Sequence, residues 1–158
     1  MTYHIKIKRI PYEEPYHLEL HWDISNNIQS LKFELYHNSN DLLTIASGLE
    51  NFPRHSNDLF LYEIGSEEKE DNFAYYFLLR AFLTSPFGQS AIHIKFCNNL
   101  LSLHTSNSEF YIHTLPSDIN RLGNLFRKLS ELKDSYLIWN DKEDYIGEEY
   151  EYKWYDIK

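Results

Sequence analysis

The stretch that decides the fold is Phe73-Ala-Tyr-Tyr-Phe-Leu-Leu-Arg-Ala-Phe-Leu83, an apolar and aromatic run interrupted only by Arg80. Such a run is typical of either a central strand buried on both faces or a buried helix, and its periodicity does not separate the two. The segments that follow, 91–96, 101–104 and 110–113, alternate apolar with polar residues, as half-buried strands do. Residues suited to tight hairpins separate them at 98–99 and 106–107. We therefore interpret 73–83 as the strand that leads into a three-stranded meander.

The same two-residue alternation predicts further strands over 3–10, 18–24, 31–36 and 57–64. Lysines in the first of these favour an edge position, because a charged edge discourages unwanted pairing. Apolar stripes predict two helices, one capped by Ser39 or Asn40 and one capped by Ser117. Gly123, inside the second helix, permits a close backbone approach to the sheet. The prediction is an α+β fold: a largely antiparallel sheet of about six to eight strands, with two helices packed on one face.

Length and composition set the domain organisation and exclude several classes of protein. A chain of 158 residues is expected to form one domain, here 1–140, followed by an acidic, aromatic strand or tail over 141–158. A formal charge of −9 argues against nucleic-acid binding, which needs a basic face. The single cysteine, Cys97, indicates a reducing compartment, and no apolar run approaches the length of a membrane span. The expected location is the cytoplasm.

One constellation in the predicted meander has the composition of a metal site. If 98–99 and 106–107 are two-residue turns, His93, His104 and Glu109 form a cross-strand row on the polar face. Two imidazoles and a carboxylate are a legitimate ligand set for zinc or iron, and such an ion could activate water for hydrolysis. The alternative is an ordinary solvated face, since a one-residue slip of the register would scatter the row. Glycine-rich phosphate loops and nucleophile elbows are both missing from the sequence.

The C-terminal segment has the composition of a protein-binding surface. Between residues 141 and 158 lie seven acids and three lysines, so −4 of the total charge of −9 falls there, among five aromatic residues. Acids steer a basic partner and aromatic rings anchor it. The alternative is a terminal strand that closes one edge of the sheet. The partner-binding prediction comprises Glu148, Glu149, Tyr150, Glu151, Tyr152, Trp154 and Tyr155.

The order of elements resembles a known family. A polar hairpin over 18–36 precedes a helix that ends in Leu49-Glu-Asn-Phe-Pro53, and a strand pair, a His- and Ile-bearing meander and a helix from Pro116 follow. Over about residues 17–132 this is similar to the WapI-like immunity proteins, cytosolic antidotes to bacterial contact-delivered toxins. The resemblance implies a non-catalytic protein that binds and blocks a toxin domain. We expect no cofactor. It implies no particular site residues.

Three hypotheses about function follow. The first is a cytoplasmic, immunity-type inhibitor that occludes a basic toxin, binding neither nucleic acid nor membrane. The second is a metal-dependent hydrolase built on His93, His104 and Glu109. The third is a self-associating structural module, which would bury an apolar patch in a homodimer.

Overall fold

The computed structural model describes residues 2–68, 74–99 and 106–156, with the backbone alone for 153–156. This described part contains nine strands and three helices. The strands are β1 His4–Glu13, β2 His17–Ser25, β3 Ser30–His37, β4 Leu59–Gly65, β5 Tyr75–Leu83, β6 Ser90–Asn98, β7 Ser106–Thr114, β8 Tyr136–Asn140 and β9 Asp144–Gly147. The helices are α1 Ser39–Glu50, α2 Pro116–Leu129 and α3 Glu149–Asp156.

The strands form two antiparallel sheets, of order β3-β2-β1-β8-β9 and β4-β5-β6-β7. The α+β class is confirmed, but the prediction of one sheet with two helices is wrong. Strands that follow one another in the chain pair as antiparallel neighbours, β1 to β3 in the first sheet and β4 to β7 in the second. Helix α1 and residues 51–58 separate β3 from β4, and alternation carries no information about whether β4 rejoins the first sheet. The chain divides into two compact units, Met1–Asn51 with Ser117–Lys158, and Phe52–Pro116.

Strand β1 lies inside the five-stranded sheet, so its predicted edge position is wrong. It pairs with β2 on one side and with β8 on the other, where Ile7 lies opposite Leu137. Its partner β8 is more than a hundred residues away along the chain, which local alternation does not reveal. Lys6 and Lys8 instead occupy the solvent face of the sheet. The opposite face is buried and contains Ile5, Ile7, Leu20, Trp22, Leu35 and Trp139.

Helices α1 and α2 form the core of the first unit with that buried face. The predicted stripe of α1, from Leu42 to Leu49, is fully buried. In α2, Phe126 contacts Trp22 with ring centroids 5.9 Å apart. A Cβ atom on Gly123 would lie 2.5 Å from the backbone nitrogen of Glu50. The predicted close approach at Gly123 therefore exists, but it is made to α1 and not to the sheet.

Both helices begin earlier than the predicted caps imply. The N-cap of α1 is Asn38, whose side chain accepts from the backbone N–H of Asp41 while the Asp41 carboxylate accepts from the backbone N–H of Asn38. This reciprocal pair is a capping box, and it satisfies two amide groups that the helix leaves unbonded. Helix α2 begins at Pro116, so Ser117 lies in its first turn. Proline suits that first position because it has no amide hydrogen to satisfy.

The four-stranded sheet confirms that the deciding stretch is a strand. β5 lies between β4 and β6, and five of its nine residues are buried. The apolar side chains on one face of this sheet are buried and include Phe60, Phe77, Leu79, Ile92, Ile94, Phe110 and Ile112. Among the helices of the described ranges, none is long and apolar enough to cross a membrane.

Candidate functional site

The predicted partner-binding segment forms a helix where a strand or tail was expected. Residues 144–147 form the short edge strand β9, and residues 149–156 form α3. The alternation of Tyr150, Tyr152 and Trp154 with charged residues suggested a strand, but glutamate and lysine are good helix formers. Residues 148, 149 and 152 share one face at helical spacing, which separates them from 150 and 151.

Two glutamates of the segment are turned toward the five-stranded sheet. The carboxylate of Glu149 forms an ion pair with Lys8 of β1 at 2.9 Å. The carboxylate of Glu148 accepts a hydrogen bond from the Ser135 hydroxyl, and its backbone carbonyl accepts one from the Tyr145 hydroxyl at 2.7 Å. These contacts attach the start of α3 to the solvent face of the sheet.

Tyr152 completes the attachment. Its ring lies 5.0 Å from that of Tyr145 and 6.1 Å from that of Tyr136, centroid to centroid. Its hydroxyl donates to the Glu143 carboxylate at 3.0 Å. Burial raises the pKa of both Tyr136 and Tyr145, as expected for hydroxyls withdrawn from water. Tyr152 therefore packs on its own chain, although from a helix and not from the terminal strand that the alternative interpretation expected.

Tyr150 and Glu151 are the exposed side chains of α3 among those that the structure describes. The side chain of Tyr150 is 64% exposed and that of Glu151 is exposed. The neighbouring Glu151 carboxylate raises the pKa of the Tyr150 hydroxyl through its charge and a side-chain hydrogen bond. The side chains of Trp154 and Tyr155 lie outside the part of the chain that is described.

Further acids lie in the β8–β9 hairpin that precedes α3, and one of them, Glu143, accepts a hydrogen bond from Tyr152 of α3. Asp141, Glu143 and Asp144 are exposed in the β8–β9 hairpin. Asp144 forms an ion pair with Arg121 of α2. The C-terminal face thus combines an exposed aromatic ring with carboxylates held on two neighbouring elements. Asp144 pairs with Trp139 and so lies on the helix-covered face of the sheet, away from α3. We call the remaining group the α3 surface: Asp141, Glu143, Tyr150 and Glu151.

The predicted metal row does not form in the expected register. β6 pairs directly with β7, so His93 lies opposite Tyr111 and Lys95 lies opposite Glu109. The turn assumed at 98–99 caused the error, because Asn98 itself pairs with Ser106. His104 lies outside the described residues.

His93 and Glu109 nevertheless meet diagonally across the two strands. The Nε2–H of His93 donates to Glu109 at 2.7 Å, and its Nδ1 accepts from the Arg80 Nε–H at 3.2 Å. The Tyr111 ring stacks on the imidazole with centroids 4.4 Å apart. Both ring nitrogens of His93 are thereby engaged by protein groups. Sequence reasoning missed Arg80 and Tyr111, which only the true register places beside His93.

A second cluster, also missed, lies on the solvent face of the five-stranded sheet. Glu19 and His21 are two residues apart on β2, and Glu34 of β3 pairs directly with His21. One ligand atom from each side chain lies within 4.8 Å of the others. His21 and Glu34 also line a cleft of about 380 Å³, together with Lys6, Lys8, Asp23, Lys32, Tyr136 and Glu149. The alternation of 17–24 and 31–36, with the hairpin register worked out, would have found this cluster.

Comparisons with known proteins do not add to this geometry: no protein-family model, no curated protein and no solved structure matches the chain. The WapI-like resemblance remains an expectation from the sequence.

Proposed function

We propose that this chain is a non-catalytic cytoplasmic binding protein that captures a basic protein through the α3 surface, as an immunity protein occludes a toxin. The observation that carries the proposal is Tyr150, a large aromatic side chain 64% exposed on a helix that three other residues hold in place. Exposed tyrosines in a fixed frame are typical anchors of protein interfaces.

The attachment of α3 favours binding energetically. Glu148, Glu149 and Tyr152 hold the helix before any partner arrives. A partner that docks on Tyr150 therefore does not have to order the helix, and less conformational entropy is lost on association.

The charge distribution favours a basic partner. Residues 141–158 contribute −4 of the formal charge of −9, and the exposed carboxylates Asp141, Glu143 and Glu151 lie among them. Such a field accelerates encounters with a positively charged protein and is screened by salt. Occlusion then needs only a lasting complex and no chemistry by this chain.

The test is a partner-capture experiment with matched tyrosine variants. The full-length protein is immobilised and exposed to an extract of its source cells, and captured proteins are identified by mass spectrometry. We expect a basic protein on the wild type whose capture falls at least tenfold with Tyr150→Ala and with Glu151→Lys. Its association rate should fall steeply as salt is raised.

Tyr16→Ala is the control, because Tyr16 is 76% exposed and precedes β2, in a part of the chain outside the α3 surface. Capture that survives Tyr150→Ala and Glu151→Lys would contradict the proposed surface. Equal loss with Tyr16→Ala would contradict it as well, because the effect would then not be specific to α3.

Self-association is a second candidate, favoured by one observation on the four-stranded sheet. On the face that carries Arg80 and His93, the side chains of Leu59, Leu61 and Tyr111 are 48%, 49% and 40% exposed. Apolar side chains grouped in this way suit an interface with a second copy. Analytical ultracentrifugation of the wild type and of Leu61→Glu tests it. A wild type that stays monomeric at high concentration would remove this candidate.

A further inference from the structure

We propose that Glu19, His21 and Glu34 bind a divalent transition-metal ion on the solvent face of the five-stranded sheet. The imidazole Nε2 of His21 lies 2.7 Å from Glu19 Oε2 and 3.8 Å from Glu34 Oε1. Bonds of about 2.1 Å to a tetrahedral ion place ligand atoms about 3.4 Å apart. The two observed separations fall on either side of that value, so small side-chain rotations bring all three atoms onto one ion.

The backbone supports this convergence. Glu19 and His21 point to the same side of β2 because side chains alternate along a strand. Glu34 is the direct cross-strand partner of His21 in a continuous register from Leu18–His37 to Ser25–Ser30. The three ligands therefore come from two hydrogen-bonded strands whose relative position the hairpin determines, and not from mobile loops.

A neighbouring hydroxyl orients one of the ligands. The Tyr36 hydroxyl donates to Glu19 Oε1 at 3.2 Å, which leaves Oε2 directed at His21. Hydrogen bonds of this kind, made by groups outside the ligand set, commonly contribute about 10- to 100-fold to metal affinity. Tyr36 is thus a positioning residue for the proposed site.

The donor set selects the class of ion. One imidazole nitrogen with two carboxylate oxygens suits zinc, manganese or iron(II), whereas magnesium and calcium prefer oxygen ligands alone. In the absence of metal the His21 Nε2–H donates to Glu19; on binding, the neutral ring carries its hydrogen on Nδ1, and Nε2 becomes the ligand. His21 and Glu34 line the 380 Å³ cleft, so the remaining coordination position opens toward solvent.

The charges around the cluster permit a cation there. Lys8 is the nearest cation in register, since it pairs with His21 across β1 and β2. Its ammonium group is held by Glu149 at 2.9 Å, so the carboxylate of α3 offsets its charge. Lys32 lies two residues from Glu34 on the same face of β3 and opposite Asp23 of β2, so its charge lowers the affinity for a cation.

The experiment uses the full chain purified without a histidine tag. Zinc is titrated by calorimetry, and cobalt(II) replaces it for absorption spectroscopy, which reports coordination geometry. We expect one equivalent to bind, with affinity reduced more than tenfold in His21→Ala and in Glu19→Gln, and about tenfold in Tyr36→Phe. Magnesium in excess should not compete with zinc.

His4→Ala is the matched control. His4 bonds Asp23 at 2.9 Å on the same face of the same sheet, but no third ligand completes that pair among the metal-binding clusters found in the described residues. Zinc should raise the melting temperature of the wild type and of His4→Ala, and not that of His21→Ala. No saturable binding by the wild type, undiminished binding by His21→Ala, or equal loss in His4→Ala would each overturn the proposal.

Discussion

A buried histidine should make the first unit lose stability in mild acid. His37 of β3 is 3% exposed, and its Nε2 accepts a hydrogen bond from the Trp22 indole N–H at 3.2 Å. Burial lowers the pKa of His37 from 6.5 to about 4, because the charged imidazolium is poorly solvated in the core. Protonation of Nε2 would also set two N–H donors against each other.

The sign of this pH dependence follows from the pKa of His37 in the folded and in the unfolded chain. The unfolded chain protonates His37 as the pH falls below 6.5, while the folded chain resists until the pH nears 4. The stabilisation is therefore complete above pH 6.5 and is lost progressively as the pH falls from 6.5 to 4. A pKa difference of this size corresponds to about 3 kcal/mol of unfolding free energy in total. About 2 kcal/mol of it should be lost between pH 7.5 and pH 5.

The assay is urea unfolding at pH 7.5, 6.5, 5.5 and 5, followed by tryptophan fluorescence. Trp22, Trp139 and Trp154 all belong to the first unit, so the signal reports that unit. His37→Gln keeps an acceptor for Trp22 and removes the titrating group, so its free energy of unfolding should lose most of this pH dependence.

His17→Gln is the control, since His17 is exposed on β2 in the same unit and its variant should follow the wild type. A wild type that loses less than about 0.5 kcal/mol between pH 7.5 and pH 5 would refute the reasoning. A His37→Gln variant with the pH dependence of the wild type would refute it too.

Three further predictions test the packing. Gly123→Ala should destabilise the first unit by about 2 kcal/mol in urea unfolding, because the added Cβ would meet the backbone of α1. This loss is expected although alanine is the better helix former by about 1 kcal/mol. An unchanged or higher stability would be evidence against the contact. Tyr152→Ala should lower the free energy of unfolding by about 2 kcal/mol and Tyr150→Ala by less than about 0.5 kcal/mol, since of the two only Tyr152 packs on neighbouring rings. Equal losses of stability in thermal unfolding would show that α3 is not attached as described. Asn38→Ala should cost about 1 kcal/mol by removing the capping box of α1, and Asn38→Ser, which retains a capping oxygen, should recover most of it.

Much of the local structure could be predicted from the sequence. The alternation around Leu18–Ile24 and Leu31–Leu35 predicted strands that β2 and β3 confirm, and the stripe from Leu42 to Leu49 predicted the buried face of α1. The apolar run 73–83 was interpreted as a strand, and β5 over Tyr75–Leu83 confirms this for the greater part of it. These features follow from the period of side chains along the backbone, which is a local property.

The candidate sites depended on contacts between distant residues. A turn of two residues at 98–99 predicted His93 opposite His104, whereas the structure places Tyr111 there. Glu19, His21 and Tyr36 come together because β2 and β3 keep one register along their whole length. A shift of one residue would move each of these side chains to the other face, and composition does not exclude it.

The C-terminal segment shows most clearly which features the sequence predicted and which depended on the tertiary structure. Its acids and aromatic rings are evident in the sequence and predicted a surface of its own, but their two-residue alternation suggested a strand. Contacts with Lys8, Ser135 and Tyr136 favour the helix, because helical spacing lets Glu148, Glu149 and Tyr152 reach the sheet together. The sequence by itself thus determined where the chain is apolar and where it is charged. Only the tertiary structure decided which strands share a sheet and which side of α3 faces solvent, since both depend on groups more than ten residues apart whose pairing no local pattern encodes.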